Sequence, residues 1–526
     1  MSLEEFLHNL QFDVNRANQP NWEVDWDDAP LAYKLYRGLP VIPLSAEVPL
    51  TLAESHAPAK PDLDRIGHFL WYVYGMTQVS QSVYPEDALE NESYPMQSYR
   101  RFAPSGGALY PNELYMYLKV EGLPDGVYHY DPAHHRLELL REGNFDSYIE
   151  RALGNRCNVF SCFGTAFVST MFWKNFFKYN NFAYRLQGLD AGVLMGQLLE
   201  TAKRFGFASG VYYQYLDSAI NHLLGLSEEE ESVYSLIPLS VEPTNWSTNG
   251  REIEEDLTAE ELKLELHPIY PENYERSRLV KEYPRLLAVN RASMIDSTSS
   301  FQKIWDQPPK TRDVEPAIKL PKGEPFSYDL VEACKNRFSP EMDFVLDKVS
   351  QQQLVTLMQE ATASFSYRND LEEAYCSNEP RVSIYGCLYN VEGVPNGAYF
   401  YDSAKHELYD LNPGDHRLHL QSGLSLDNVN LLQVPLCLHV AGSKDFYKDA
   451  LGYRGYRILQ MEAGMLVQRL LITSSALGMG GHPLLGFDTK LSDEVYKMDS
   501  NGQTSLIQLP IGFYRNRPWL KGSLLC

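Results

Sequence analysis

The chain has 526 residues, several times the roughly 100–200 of a single domain, so at least two globular units are expected. Hydrophobic residues at 44% and aromatics at 12%, with 35 tyrosines, describe an ordinary folded protein and exclude a disordered or fibrous one. A formal net charge of -23 repels nucleic acid and anionic membrane, and no basic run offsets it.

The N-terminus, "MSLEEFLHNLQFDVNRANQ", begins with acids and polar residues where a secretory signal needs a basic start and an apolar core. No stretch approaches the ~20 apolar residues of a membrane span, so a cytoplasmic protein is expected. The seven cysteines form no CxxC and are odd in number, which fits reduced thiols and argues against a cysteine metal site. From Asp64, "DRIGHFLWYVYGMTQVS" starts with apolar residues at helical spacing. Then Arg100 and Arg101 lead into Pro104-Ser105-Gly106-Gly107, directly ahead of "ELYMYLKV", which alternates like a half-buried strand. Two readings of the turn stand side by side. It is either a tight turn before a strand, or glycine backbone bared to a flat or charged ligand, with a serine hydroxyl for a polar ring edge. "GVYHYD" and "HRLELL" read as a hairpin, and His134-His135 in its turn read as solvated residues rather than metal ligands.

Self-similarity organises the rest. "GLPDGVYHYDPAHHRLELL" (122–140) recurs as "GVPNGAYFYDSAKHELYDL" (393–411), an offset of 271. "YRLQGLDAGVLMGQLLETAKRFGFASG" from Tyr184 recurs as "YRILQMEAGMLVQRLLITSSALGMGG" from Tyr456, an offset of 272. Two blocks at nearly one offset mean a tandem duplication: copy 1 over 1–245, an acidic linker or subdomain over 246–314, and copy 2 over 315–526. The segment from Tyr184 is apolar nearly all round, with Gly192 and Gly196 four apart, and reads as a buried central helix with a small-residue face. Each copy mixes helices with a sheet, an α+β fold. Two such units suggest a built-in two-fold dimer, with two independent beads as the alternative.

"PSGGALYPNELY", "GVYHYD", "KY....YR...LDAG" and the "GF.SG" helix end, in that order, resemble the SagB-type dehydrogenases, flavin-dependent azoline oxidases of the nitroreductase-like superfamily. "LAYKLYRGLPVIPL" (31–44) resembles the start of that family's domain. Copy 2 resembles the broader fold, with "LVEACKNRFSPEMDF" (330–344) as its first helix and "LPIGFYRNRP" (509–518) as its last strand and basic tail. The resemblance implies FMN at a dimer interface, its phosphate met by arginines of one unit and its ring by the Pro-Ser turn of the other. Copy 2 has "RVSIYGCLYNVEG" where copy 1 has its turn and strand, and copy 1 lacks the basic tail, so one composite site and one FMN per chain are expected. Its residues are Arg337, Ser339, Gly480, Gly481, Arg515 and Arg517 of copy 2, facing Arg101, Pro104, Ser105, Gly106 and Gly107 of copy 1. Arg100 is a further candidate for phosphate or substrate.

Lys178-Tyr179 matches the catalytic Lys-Tyr pair of the azoline oxidases, and copy 2 has Ala450 and Leu451 there. The resemblance thus implies oxidation of thiazoline or oxazoline rings in a ribosomally made peptide prepared by a cyclodehydratase, with dioxygen reoxidising the flavin. Tyr179 is expected as the base, its phenolate favoured by the Lys178 ammonium, with Lys178 as that electrostatic partner or as the alternate base, and Tyr184 and Arg185 as supports. Two other functions share the same features: an NAD(P)H-dependent nitro- or quinone reductase, and a peptide-binding scaffold without redox chemistry. Further association into a homo-oligomer is compatible with all three.

Overall fold

A computed structural model describes residues 1–83, 95–243, 256–304, 318–362, 366–372, 380–516 and 520–522. Each copy wraps an antiparallel sheet around one long helix. In copy 1 the strand order is Val41–Pro43, Arg136–Glu142, Gly126–Asp131, Asn112–Leu118, Gly164–Met171, Glu231–Ser240 and Ala208–Val211. Copy 2 repeats it as Ile318–Lys319, Glu407–Pro413, Gly397–Asp402, Val382–Leu388, Leu436–Ser443 and Gln503–Tyr514, the last also pairing with Gly480–Gly481. The order is the same because the same hydrophobic pattern is written twice.

The hairpins keep one detail in both copies. His135 Nδ1 lies 2.9 Å from the Tyr130 hydroxyl, and His406 Nδ1 lies 2.8 Å from that of Tyr401. Both histidines take positive φ, 47° and 58°, so the ring can fold back over its own strand. His135 is therefore not a solvated residue: it packs on Trp71 at 5.1 Å, and burial lowers its pKa to about 4. His134 does reach water, bonded to Asp131 at 2.7 Å.

The central helices, Ala183–Arg204 and Arg454–Ala476, cross at their repeat-equivalent glycines. A Cβ on Gly192 would stand 1.9 Å from the Met461 carbonyl oxygen, and one on Gly464 would stand 2.1 Å from that of Leu189. Only glycine permits this approach. At the head of the crossing, equivalent Tyr184 and Tyr456 stack with planes 12° apart and centroids 6.0 Å apart, as a two-fold axis between the copies demands.

Copy 2 also lends two strands to copy 1. Arg368–Asn369 pairs in parallel with Ala208–Val211, and Leu520–Gly522 pairs antiparallel with Met76–Val83. Leu330, Tyr456 and Ile472 share one apolar core with copy 1, which rules out two independent beads. The N-terminal helix Leu3–Phe12, counted with copy 1 by position, packs across both copies. It buries Phe6, Leu7 and Leu10 and bonds copy 2 through Gln11 Nε2 to the Ser505 carbonyl (2.6 Å).

One expectation of the strand pattern fails instructively. Asn112–Leu118 is buried on both faces, not one. Its polar side is closed by charge pairing, since Glu113 meets Lys174 and lies 3.0 Å from His129 Nε2, which makes burial of the carboxylate tolerable.

Candidate active site

The turn 104–107 follows the strand Pro95–Arg101 and is pinned from below by an acid on the central helix. Ser105 Oγ donates to Asp190 Oδ2 (2.6 Å), and the Gly106 N–H donates to Asp190 Oδ1 (3.1 Å). Ser105 Oγ also accepts the Tyr110 N–H (2.9 Å). The serine hydroxyl thus donates its proton inside the protein. Burial raises Asp190 to about 6, opposed by those hydrogen bonds.

What the turn presents outward is Gly107, exposed and at φ +65°. A Cβ there would lie 2.6 Å from the Tyr179 hydroxyl and 3.0 Å from Lys178 Nζ. The turn and the Lys-Tyr dipeptide, more than seventy residues apart, meet at one point. Tyr179 is raised to about 12, by burial first and by Asp190 second. Burial lowers Lys178. Of the two expected bases, the Tyr179 phenolate is disfavoured, while burial favours the neutral amine of Lys178. Asn180, next in the chain, takes φ 54°, ψ -144°, and its copy 2 counterpart Gly452 takes φ 56°, ψ -146°. That conformation suits glycine, so Asn180 carries strain, held by a two-way bond with Gln19 (3.1 and 3.0 Å).

The copy 2 residues gather on the far side of Tyr110. Arg337 caps the helix Leu330–Asn336 and is buried, with an Nε that has no hydrogen-bond partner. Arg100 of copy 1 donates to the Arg337 carbonyl. Burial lowers both guanidiniums, Arg337 further through the charge of Arg100, and among the described residues no carboxylate contributes to either. A buried and a half-buried cation, with no acid paired to either among the described residues, form a place for an anion. Ser339 Oγ lies 3.4 Å from the Gly481 carbonyl, and the Gly481 N–H donates to that of Phe338 (3.1 Å). Gly480 is pressed on Pro340, 2.4 Å from where a Cβ would be, and on Tyr514. The two glycines thus close this floor.

Other candidates fall differently. Arg101 is buried between the rings of Tyr74 (4.2 Å) and Tyr110 (4.5 Å), donates to the Ala32 carbonyl, and keeps Nε and Nη1 unpaired. Pro104 is half-buried at the start of the turn. Arg515 has an exposed side chain and donates its N–H to the Asp343 carbonyl (3.0 Å), and Arg517 lies outside the described residues. Tyr184 and Arg185 are not supports of the site. The first stacks in the helix seam, and the second donates to the carbonyls of Leu10 and Leu506, tying copy 1 to copy 2.

Asp190 and Asn180 were missed by reading the sequence. An acid recurring at one position of an otherwise apolar repeat, Asp190 and Glu462, was the available signal for the first. Among the described residues no cluster of His, Cys, Asp and Glu is placed to hold a metal ion, and no helix is long and apolar enough to cross a membrane.

The fold defines the class. Over 98% of this chain and 99% of its own, the crystal structure of a protein from Anabaena variabilis ATCC 29413 described as a nitroreductase superposes with a TM-score of 0.71 at 19% identity, which shows a shared fold. Residues 58–239 match the model of the nitroreductase family. Two curated proteins are similar to the chain. The trifolitoxin-processing protein TfxB of Rhizobium leguminosarum bv. trifolii is 30% identical over 145 residues, covering 26% of this chain and 38% of its own. The microcin B17-processing protein McbC of Escherichia coli is 29% identical over 137 residues, covering 25% and 50%. The chain thus spans half or less of the length of these relatives. The chain carries the nitroreductase fold in tandem duplicate, with residues 58–239 matching the nitroreductase family, and its motifs are similar to those of the SagB-type dehydrogenases.

Proposed function

We propose that the chain is an FMN-dependent dehydrogenase that oxidises azoline rings of a ribosomally made peptide to azoles, with one FMN per chain. The observation that carries this reading is the meeting of Lys178 and Tyr179 with the bare backbone of Gly107. The residues present fit the cofactor. The half-buried Arg100 and buried Arg337 guanidiniums, paired with no acid among the described residues, suit its phosphate, and Gly107 leaves the space a Cβ would fill beside the reacting groups. Similarity to two peptide-processing proteins supports a peptide substrate.

Aromatising an azoline removes a proton from one ring carbon and a hydride from its neighbour. Bound FMN supplies the hydride acceptor. Lys178, its pKa lowered by burial, takes the proton as the neutral amine and becomes the ammonium. Tyr179 stays a neutral phenol and holds the ring by donating a hydrogen bond. Asp190 keeps the turn at the height that lets both reach past Gly107. A cyclodehydratase partner would supply the azoline.

The test is mass spectrometry on a peptide carrying one thiazoline, with flavin counted per chain. Loss of two hydrogens per ring by the wild-type chain, abolished in Lys178→Ala with FMN retained, is expected. A chain that takes up no FMN, or full product from both Lys178→Ala and Tyr179→Phe, overturns the proposal.

A further inference from the structure

The helix end that carries Lys178 and Tyr179 is clasped by a segment outside both the duplicated motifs and the family match. Residues 17–28 run along it. Asn181 Nδ2 donates to the Ala17 carbonyl (2.9 Å), the Phe182 N–H donates to Asn18 Oδ1 (3.1 Å), and Trp22 Nε1 donates to the Phe177 carbonyl (3.0 Å). With the Gln19–Asn180 pair, these bonds hold the strained Asn180 in place. Structure alone would be served if the segment ended there. It continues to Trp26, whose indole stands edge-on to Phe177 (5.4 Å, 89°) and lies 5.4 Å from Lys178 Nζ, yet is 52% exposed. A large aromatic left half in water costs burial energy that the chain could have recovered by packing it. Its place is specific: the indole lies beside Lys178, whose Nζ in turn lies beside Gly107.

We infer that Trp26 is a substrate-binding residue, stacking on the five-membered heterocycle of the peptide or on the flat amide next to it. The inference rests on the proposed azoline reaction and names the part of the site that recognises the ring. Stacking suits a planar, weakly polar ring and needs no hydrogen-bond match, so thiazole and oxazole are both accepted. Glu23, Asp25 and Asp27, all exposed around Trp26, favour basic residues next to the heterocycle.

Binding can be read apart from turnover, with a fluorescein-labelled peptide carrying one thiazole, followed by anisotropy with the FMN-loaded chain. Trp26→Ala is expected to weaken binding by about 5- to 30-fold, the scale of one lost stacking contact. Trp26→Phe should restore most of it, with FMN content unchanged in both. Wild-type affinity in Trp26→Ala overturns the inference while leaving the proposed reaction standing. Absence of binding by the wild-type chain overturns both. An equal loss in Trp26→Ala and Trp26→Phe with a falling FMN content overturns it in favour of a purely structural segment.

Discussion

The two repeat-equivalent corners of this molecule have diverged in opposite directions. In copy 1, Asp190 spends its carboxylate on a serine hydroxyl and a backbone N–H, so the turn above it is held open and bare. In copy 2 its counterpart Glu462 is met by the Arg381 guanidinium (2.9 and 3.0 Å to Nε) and by the Tyr367 hydroxyl (2.6 Å), side chains that fill the corner. Beside the first stand Lys178 and Tyr179, and beside the second stand Ala450 and Leu451 on an equivalent backbone. The arginines follow the same division. Arg100 and Arg337 pair with no acid among the described residues, whereas Asp370 of copy 2 accepts the N–H groups of Tyr213 (2.8 Å) and Gln214 (3.0 Å) and pairs with Arg156 at 3.0 Å. A duplicated fold can keep one binding corner charged and turn the other into internal salt bridges, because the backbone is indifferent to which partner satisfies a buried charge.

That contrast can be broken by substitution. Lys178→Ala should lower turnover of a thiazoline peptide by about 10²–10⁴-fold, the range of one lost general base, whereas Ala450→Lys should change nothing measurable in the same assay. Arg381→Ala leaves Glu462 buried without its cation and should cost about 3–5 kcal/mol in urea unfolding, with FMN per chain unchanged. A change in flavin count there would mean that the second corner still binds. Arg337→Met should weaken FMN about 10- to 100-fold by fluorescence titration, the cost of charge-assisted bonds to a phosphate.

The smallest effect concerns Asp190. Its folded pKa, about 6, stands above the unfolded 3.8, so between these values the native state binds a proton that the unfolded chain does not. Stability from this group is therefore present below pH 3.8 and is lost as pH rises through about 6. Asp190→Asn removes that titration while its amide oxygen can still accept one of the two donors. From pH 5 to pH 7.5 the variant should gain on the order of 1–2 kcal/mol relative to wild type, read from paired urea curves. Equal slopes in both proteins would show that the carboxylate stays ionised.

Much of this was legible in the chain as written. Two blocks at one offset determined the duplication. The glycines of "LDAGVLMG" determined the helix crossing, and the order of short motifs determined the fold and the residues Gly107, Lys178, Tyr179 and Arg337 as candidates. Local pattern suffices for these because helix period, turn chemistry and repeats are properties of neighbouring residues. Tertiary structure alone decided which candidates meet. Ser105 turned inward to Asp190, and Arg100 rather than Arg515 came to Arg337. Tyr184 and Arg185 were absorbed into the seam, and an N-terminal segment closed over Lys178. The pKa order of Lys178 and Tyr179 also reversed, since burial penalises whichever form is charged and no spacing in a sequence reports how deeply a side chain is buried.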